Sequence, residues 1–181
     1  MPYVHDIATR IGGRRASACF YVERPRVKGR HLLPIPRVHQ LDGHSCGFLA
    51  ALVTVRYFDP AVSVIDVLRA VPRNALPSPT RGLSEHKMRC TLARFGIESP
   101  NLERLGWAKL LKATKEGHPV IVTILPPEWD CDHWAVIRGM KDNPRRVWLS
   151  NYGEVEDGCL SWHGFKSMWY PHGEGMVCRR K

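Results

Sequence analysis

At 181 residues, with 44% hydrophobic and 24% charged residues, the chain is long enough for one domain with a buried core and has no disordered or low-complexity composition. No run approaches the roughly 18 apolar residues of a membrane helix. The start, Met1-Pro2-Tyr3-Val4-His5-Asp6, lacks the basic-then-apolar order of a secretory signal, so a cytoplasmic protein without a membrane span is expected.

The formal charge of +10 is concentrated early, where Arg10, Arg14, Arg15, Arg24, Arg26, Lys28, Arg30 and Arg37 stand against Asp6 and Glu23. Residues 1–36 therefore read as a basic arm, a candidate surface for an acidic partner, ahead of a main domain over 37–181. Nucleic acid is not the expected partner.

The arm mixes glycine, proline and basic residues, with one short strand expected at Ala18-Cys19-Phe20-Tyr21-Val22 and a proline-marked approach at Pro34-Ile35-Pro36. From Cys46 to Phe58 the sequence is apolar nearly all round, the pattern of a buried central helix, and Asp59-Pro60 ends it. Ser63 caps a helix over 64–70, and Ser84 caps another closed by Gly96. A fourth helix is expected from about Glu103 to Glu116, closed by Gly117. The period then changes. Val120-Ile121-Val122-Thr123-Ile124-Leu125 is β-branched and too short for a helix, so it reads as a core strand. A turn-rich stretch over 126–132 precedes a strand from His133 to Met140, which folds back through Lys141–Arg145 onto a strand from Val147 to Tyr152. Ser161 caps a short helix through Trp169, and Met176-Val177-Cys178 returns as a last strand.

Chemistry centres on Gln40-Leu41-Asp42-Gly43-His44-Ser45-Cys46-Gly47, which places a thiol at a helix start. Unpaired N–H groups and the positive end of the helix dipole favour a thiolate there. A nucleophilic thiol needs a base, and His133, opening a strand of the sheet half, is the best placed of the nine histidines. The hairpin brings Asn151 within two or three positions of His133, where its side-chain oxygen would accept the other imidazole N–H. Gln40, six positions before the thiol, would join the Cys46 N–H as donor to an oxyanion. Gly43 and His44 at the helix mouth, and Trp129 and Trp134 flanking His133, are candidates for the substrate walls. His44 is a weaker alternative as base. The other cysteines show no paired short spacing, and a zinc set of Cys131, His133 and Cys159 finds little support, so no metal or cofactor is expected.

Four segments in order resemble the papain-like peptidases of the bacteriocin-processing, double-glycine type: Gln40-x-Asp42-Gly43-x-Ser45-Cys46-Gly47, Gly117-His118-Pro119-Val120-Ile121-Val122, His133-Trp134-Ala135-Val136-Ile137-Arg138-Gly139 and Val147-Trp148-Leu149-Ser150-Asn151. The resemblance spans roughly residues 38 to 170. It implies an α+β, papain-like fold in which a helical N-terminal half, with the nucleophile helix at its centre, packs on an antiparallel C-terminal sheet. It also implies a peptide or protein substrate, with Cys46 as nucleophile, His133 as base and acid, Asn151 as orienter and Gln40 as oxyanion donor. In much of that family the third position is an aspartate followed by proline; here it is Asn151 followed by Tyr152, and papain likewise uses asparagine. Two alternatives stay open: an acyltransferase or amidase using the same site, and a basic binding module whose catalytic site has lapsed.

Overall fold

The computed structural model describes residues 4–11, 14–21, 31–40, 42–72, 82–152, 158–169 and 173–181, with side chains from His31 onward except those of Arg37 and His39. Of the basic arm, Arg24, Arg26, Lys28 and Arg30 lie outside the described residues, as do Val22 and Leu41.

The first half opens with strands. β1 (Val4–Ile11) and β2 (Arg14–Tyr21) run antiparallel with Ile11 opposite Arg14, and β2 pairs antiparallel on its other edge with β4 (Arg37–Gln40), Ala18 opposite Gln40. Two eight-residue strands thus stand where the sequence pattern suggested one short one. Between them, β3 (His31–Leu32) leaves this small sheet for the main one.

Three helices follow: α1 (Cys46–Phe58), α2 (Val64–Ala70) and α3 (Glu85–Ala93). Every residue of α1 from Cys46 to Val55 is buried, as its all-round apolar sequence requires. α2 starts with a reciprocal cap, in which Asp66 N donates to Ser63 Oγ at 3.1 Å and Ser63 N donates to Asp66 Oδ2 at 3.1 Å.

The second half builds the sheet. β5 (Ile97–Glu98) and β6 (Glu103–Arg104) precede α4 (Trp107–Lys115), then come β7 (Val120–Ile124), β8 (His133–Lys141), β9 (Arg146–Ser150), β10 (Cys159–Ser161), α5 (Trp162–Trp169), β11 (Glu174–Val177) and β12 (Arg179–Arg180). The helix expected from about Glu103 begins only at Trp107, because Glu103 and Arg104 are drawn into pairing with β11. It ends at Gly117, whose φ of +81° takes the left-handed turn that closes a helix.

The main sheet has strand order β10-β9-β8-β7-β11-β6, with β3 added on β8, and its described pairings are antiparallel. Its two faces divide the core. Ile121, Val136 and Met176 pack with α1, whereas Val120, Val122, Ala135 and Ile137 pack with Leu110 and Leu111 of α4 and Phe165 and Trp169 of α5. Burial on both faces is why β7 is β-branched throughout and apolar except for Thr123, with no alternation. The result is the papain-like α+β arrangement, with the central helix laid on the antiparallel sheet. Among the described residues no helix is long and apolar enough to cross a membrane.

Candidate active site

Cys46 is the first residue of α1, and the preceding loop is organised by a carboxylate. Asp42 Oδ1 accepts from the N–H of His44 at 2.9 Å and of Ser45 at 2.7 Å, whereas the N-cap Ser45 makes no side-chain capping bond itself. Asp42 thus does the work expected of a capping side chain, one turn early. Burial alone would raise its pKa, but the His44 and Ser45 donors outweigh it and hold the carboxyl below the usual carboxylate range. Gly47 lets this helix end approach the sheet: a Cβ there would lie 2.7 Å from Leu83 Cβ and 3.2 Å from Trp134 Cδ1.

His133 opens β8 opposite Ile124 of β7, and its side chain is only 2% exposed. On the other side, Val136 pairs with Ser150, so the chain leaves β9 at Asn151 within reach of the imidazole. His133 Nε2 is hydrogen-bonded to the main-chain carbonyl of Asn151. A carbonyl can only accept, so the Nε2 carries the proton and a neutral ring keeps its lone pair on Nδ1.

This differs from the contact expected of the Asn151 side chain. Asn151 is buried with φ +63°, a left-handed conformation that asparagine tolerates better than most residues. That turn sends its amide elsewhere: Nδ2 donates to Cys46 O at 3.2 Å and to Trp134 O at 3.0 Å. Its Oδ1 is buried without a hydrogen-bond partner among the described residues. Asn151 therefore bonds the ring through its backbone and ties the first turn of α1 to β8 through its side chain.

Gln40, at the end of β4, lies beside this junction because Asn151 N donates to Val38 O at 3.1 Å and Ser150 Oγ to Pro36 O at 2.6 Å. Its amide nitrogen is turned onto Asp42, contacting both the main-chain oxygen and, at 3.3 Å, Oδ1. The expected oxyanion donor is thus engaged by a neighbour.

The candidate wall residues separate. Trp129, 38% exposed, sets its ring edge-on to the His133 imidazole with centroids 4.7 Å apart, and Tyr152 lies 6.5 Å from both rings. Trp134 instead packs into the α1 core, Gly43 is exposed, and His44 Nδ1 lies 3.8 Å from Asp42 Oδ1. Asp42 and Tyr152 were given no role by the sequence reading. An aspartate four residues before a helix-starting Cys-Gly is the local signal that marks the first; the second had no signal beyond adjacency to Asn151.

Burial also reverses the expected thiol chemistry. It pushes the Cys46 thiol up, against main-chain hydrogen bonds at Trp134 and Gly47, while the nearby Cys131 and Asp42 push it further up. Burial likewise lowers His133 to about 4, partly opposed by the Asn151 carbonyl. Desolvation outweighs the helix dipole, so the Cys46 thiol and the His133 imidazole each favour the neutral form. Among the described residues, no three His, Cys, Asp or Glu side chains converge as a metal cluster.

Comparison with solved structures places this geometry in a known fold. A crystal structure described as a C39-like peptidase from Bacillus anthracis matches with TM-score 0.61 at 12% identity, over 84% of this chain and 98% of that one. The fold is that of the papain-like peptidases. A double-glycine motif protease from an AMS/PCAT transporter, solved in complex with a leader peptide, matches with TM-score 0.57 at 18% identity, over 83% of this chain and 94% of that one. No protein-family model matches the chain, and no curated protein matches it in sequence.

Proposed function

We propose that the chain is a cysteine peptidase that cleaves a peptide or isopeptide bond through an acyl-enzyme on Cys46. The observation that carries this is the His133 Nε2–Asn151 carbonyl bond, since it leaves Nδ1 as the basic nitrogen of a ring anchored beside the Cys46 helix end. His133 Nδ1 takes the thiol proton as Sγ attacks the carbonyl carbon, then gives it to the leaving amine, forming a thioester. Water, deprotonated by the same nitrogen, hydrolyses the thioester and regenerates the thiol.

Because both groups favour the neutral form, charge separates only as substrate reacts, and the N–H groups at the helix start stabilise the sulfur and oxyanion at that moment. Gln40 contributes the second oxyanion donor by exchanging an Asp42 contact for the developing charge, so its net effect falls at the low end for such donors. Trp129 on one side and Gly43 and His44 on the other border the substrate, with Trp134 acting through its main chain.

A second outcome at the same site is acyl transfer to an amine, favoured by the burial of both Cys46 and His133, which restricts water at the thioester. Digestion of a peptide library by wild type and Cys46→Ala, with and without added amines and read by mass spectrometry, tests the peptidase and separates hydrolysis from transfer. Cleavage products carrying a free carboxylate, dependent on Cys46, are expected; amine-capped products assign the transferase, and products equally abundant with Cys46→Ala overturn both.

A further inference from the structure

A cavity of about 650 Å³ lies between the outer face of α3 and the ribbon formed by β5 and β12. It is remote from the thiol. Arg180 of β12 donates to the carbonyl of Phe58, the last residue of α1, whereas Cys46 is the first, and 13 helical residues span about 20 Å.

The rim is cationic. Arg89, Arg179 and Lys181 border the cavity together with His86, and Glu98 is the one carboxylate among the described lining residues. Glu98 is already balanced, with Lys181 Nζ 3.7 Å away and Arg179 directly opposite it in the ribbon. Arg89 is held in position, because its Nε donates to Ser99 O at 3.0 Å and a terminal nitrogen contacts Asn101 and lies 3.9 Å from Glu85 Oε1, a half-exposed pair that offsets only part of its charge. The floor is apolar, made by Ala93, Ile97, Pro100 and Val177. A fixed guanidinium and two further cations above an apolar floor suit carboxylates carried on a chain with aliphatic stems.

We propose that this cavity is an exosite for an acidic segment of the polypeptide substrate. It rests on the peptidase reading for the nature of the ligand, but it concerns binding rather than cleavage. From His86 to Ala93 the helix wall runs about 10 Å, room for about three residues of extended chain at about 3.3 Å each. A further six or so extended residues then reach Cys46. Nucleic acid fits less well, because no Phe, Tyr or Trp among the described lining residues offers a broad ring to stack a base.

The test uses full-length Cys46→Ala protein and two fluorescent peptides of equal length, one bearing a short Asp/Glu tract and the other its Asn/Gln counterpart. Anisotropy is expected to show the acidic peptide bound about tenfold more tightly at low salt, with the difference shrinking as salt rises. Arg179→Gln with Lys181→Gln should remove the preference. Glu98→Gln should increase it, which keeps the test decisive if the double variant does not fold. Cys90, half-buried in the cavity wall, should be alkylated more slowly when the acidic peptide is bound, whereas the exposed Cys131 should not be protected. Equal affinity for the two peptides, an unchanged preference in Glu98→Gln, or displacement of the acidic peptide from Cys90 by a tighter-binding oligonucleotide would overturn the proposal. Failure of the peptidase reading looks different: wild type would cleave no peptide while the binding preference persisted.

Discussion

The main-chain carbonyl of Asn151 is hydrogen-bonded to His133 Nε2, while the Asn151 side chain reaches past the ring to the carbonyls of Cys46 and Trp134. Orientation of the imidazole and attachment of α1 to β8 are thereby assigned to different parts of one residue. Asn151→Gly keeps the carbonyl and the positive φ but removes the amide. It should lose only about tenfold in kcat/KM, while stability falls by about 1–3 kcal/mol as two buried carbonyls lose their donor. Asn151→Ala should be worse, because alanine resists φ +63°. Urea denaturation and steady-state kinetics on both variants separate the two roles; a loss near 10⁴-fold in Asn151→Gly would instead give the side chain the orienting role.

Burial of His133 sets the acid side of the pH response. With its pKa lowered to about 4, the base stays neutral down to that pH, so kcat/KM should fall near pH 4 rather than near 6.5. Trp129→Ala opens one side of the ring to water and should move that limb upward. An acid limb unchanged by the variant would show that Trp129 does not contribute to the desolvation.

The same burial couples to folding. An unfolded histidine binds a proton near pH 6.5 and the native one only near 4, so the unfolded state holds the extra proton between those values. Stability from this group is present above about pH 6.5, is lost as pH falls toward 4, and levels off below; its full size is about 3 kcal/mol. Urea unfolding of wild type and His133→Gln across this window should show a steeper acid decline in the wild type.

Asp42 joins the helix entry to Gln40. Asp42→Ala should cost about 1 kcal/mol in stability, typical of a lost cap, and lower kcat more than it changes KM because the loop carrying Gln40 loosens. Asp42→Asn, which keeps an acceptor oxygen, should recover part of both. A KM effect with unchanged kcat would place Asp42 in substrate binding instead.

Donor loss at the oxyanion should be modest. Gln40→Ala is expected to lower kcat by about 10²-fold, the low end of the usual range, because the amide must give up Asp42 to act.

Features carried by local pattern were legible in the sequence. The all-round apolar run gave α1, the β-branched run gave β7, and Ser63 with Asp66 marked the entry of α2. The β8–β9 hairpin, legible from its turn, likewise sets Asn151 against His133. What escaped depends on partners distant in sequence. Glu103 and Arg104 form a strand only because β11 pairs with them, and two residues carry no periodicity of their own. The β1–β2 pairing escaped because basic residues interrupt the alternation of its strands. Backbone direction at Asn151 decides which of its oxygens meets His133, and no sequence pattern reports a positive φ there. The raised Cys46 thiol escaped for a similar reason: a helix start is local, whereas the burial that raises Cys46 is set by tertiary packing.

The most direct measurement of the central claim is mass spectrometry of wild-type enzyme quenched in acid during turnover of a cleavable peptide. An acyl fragment of the substrate should be found on Cys46 as a thioester, labile to hydroxylamine, and it should vanish with turnover in Cys46→Ala. Turnover that persists in Cys46→Ala, or an acyl group carried by another residue, would contradict it.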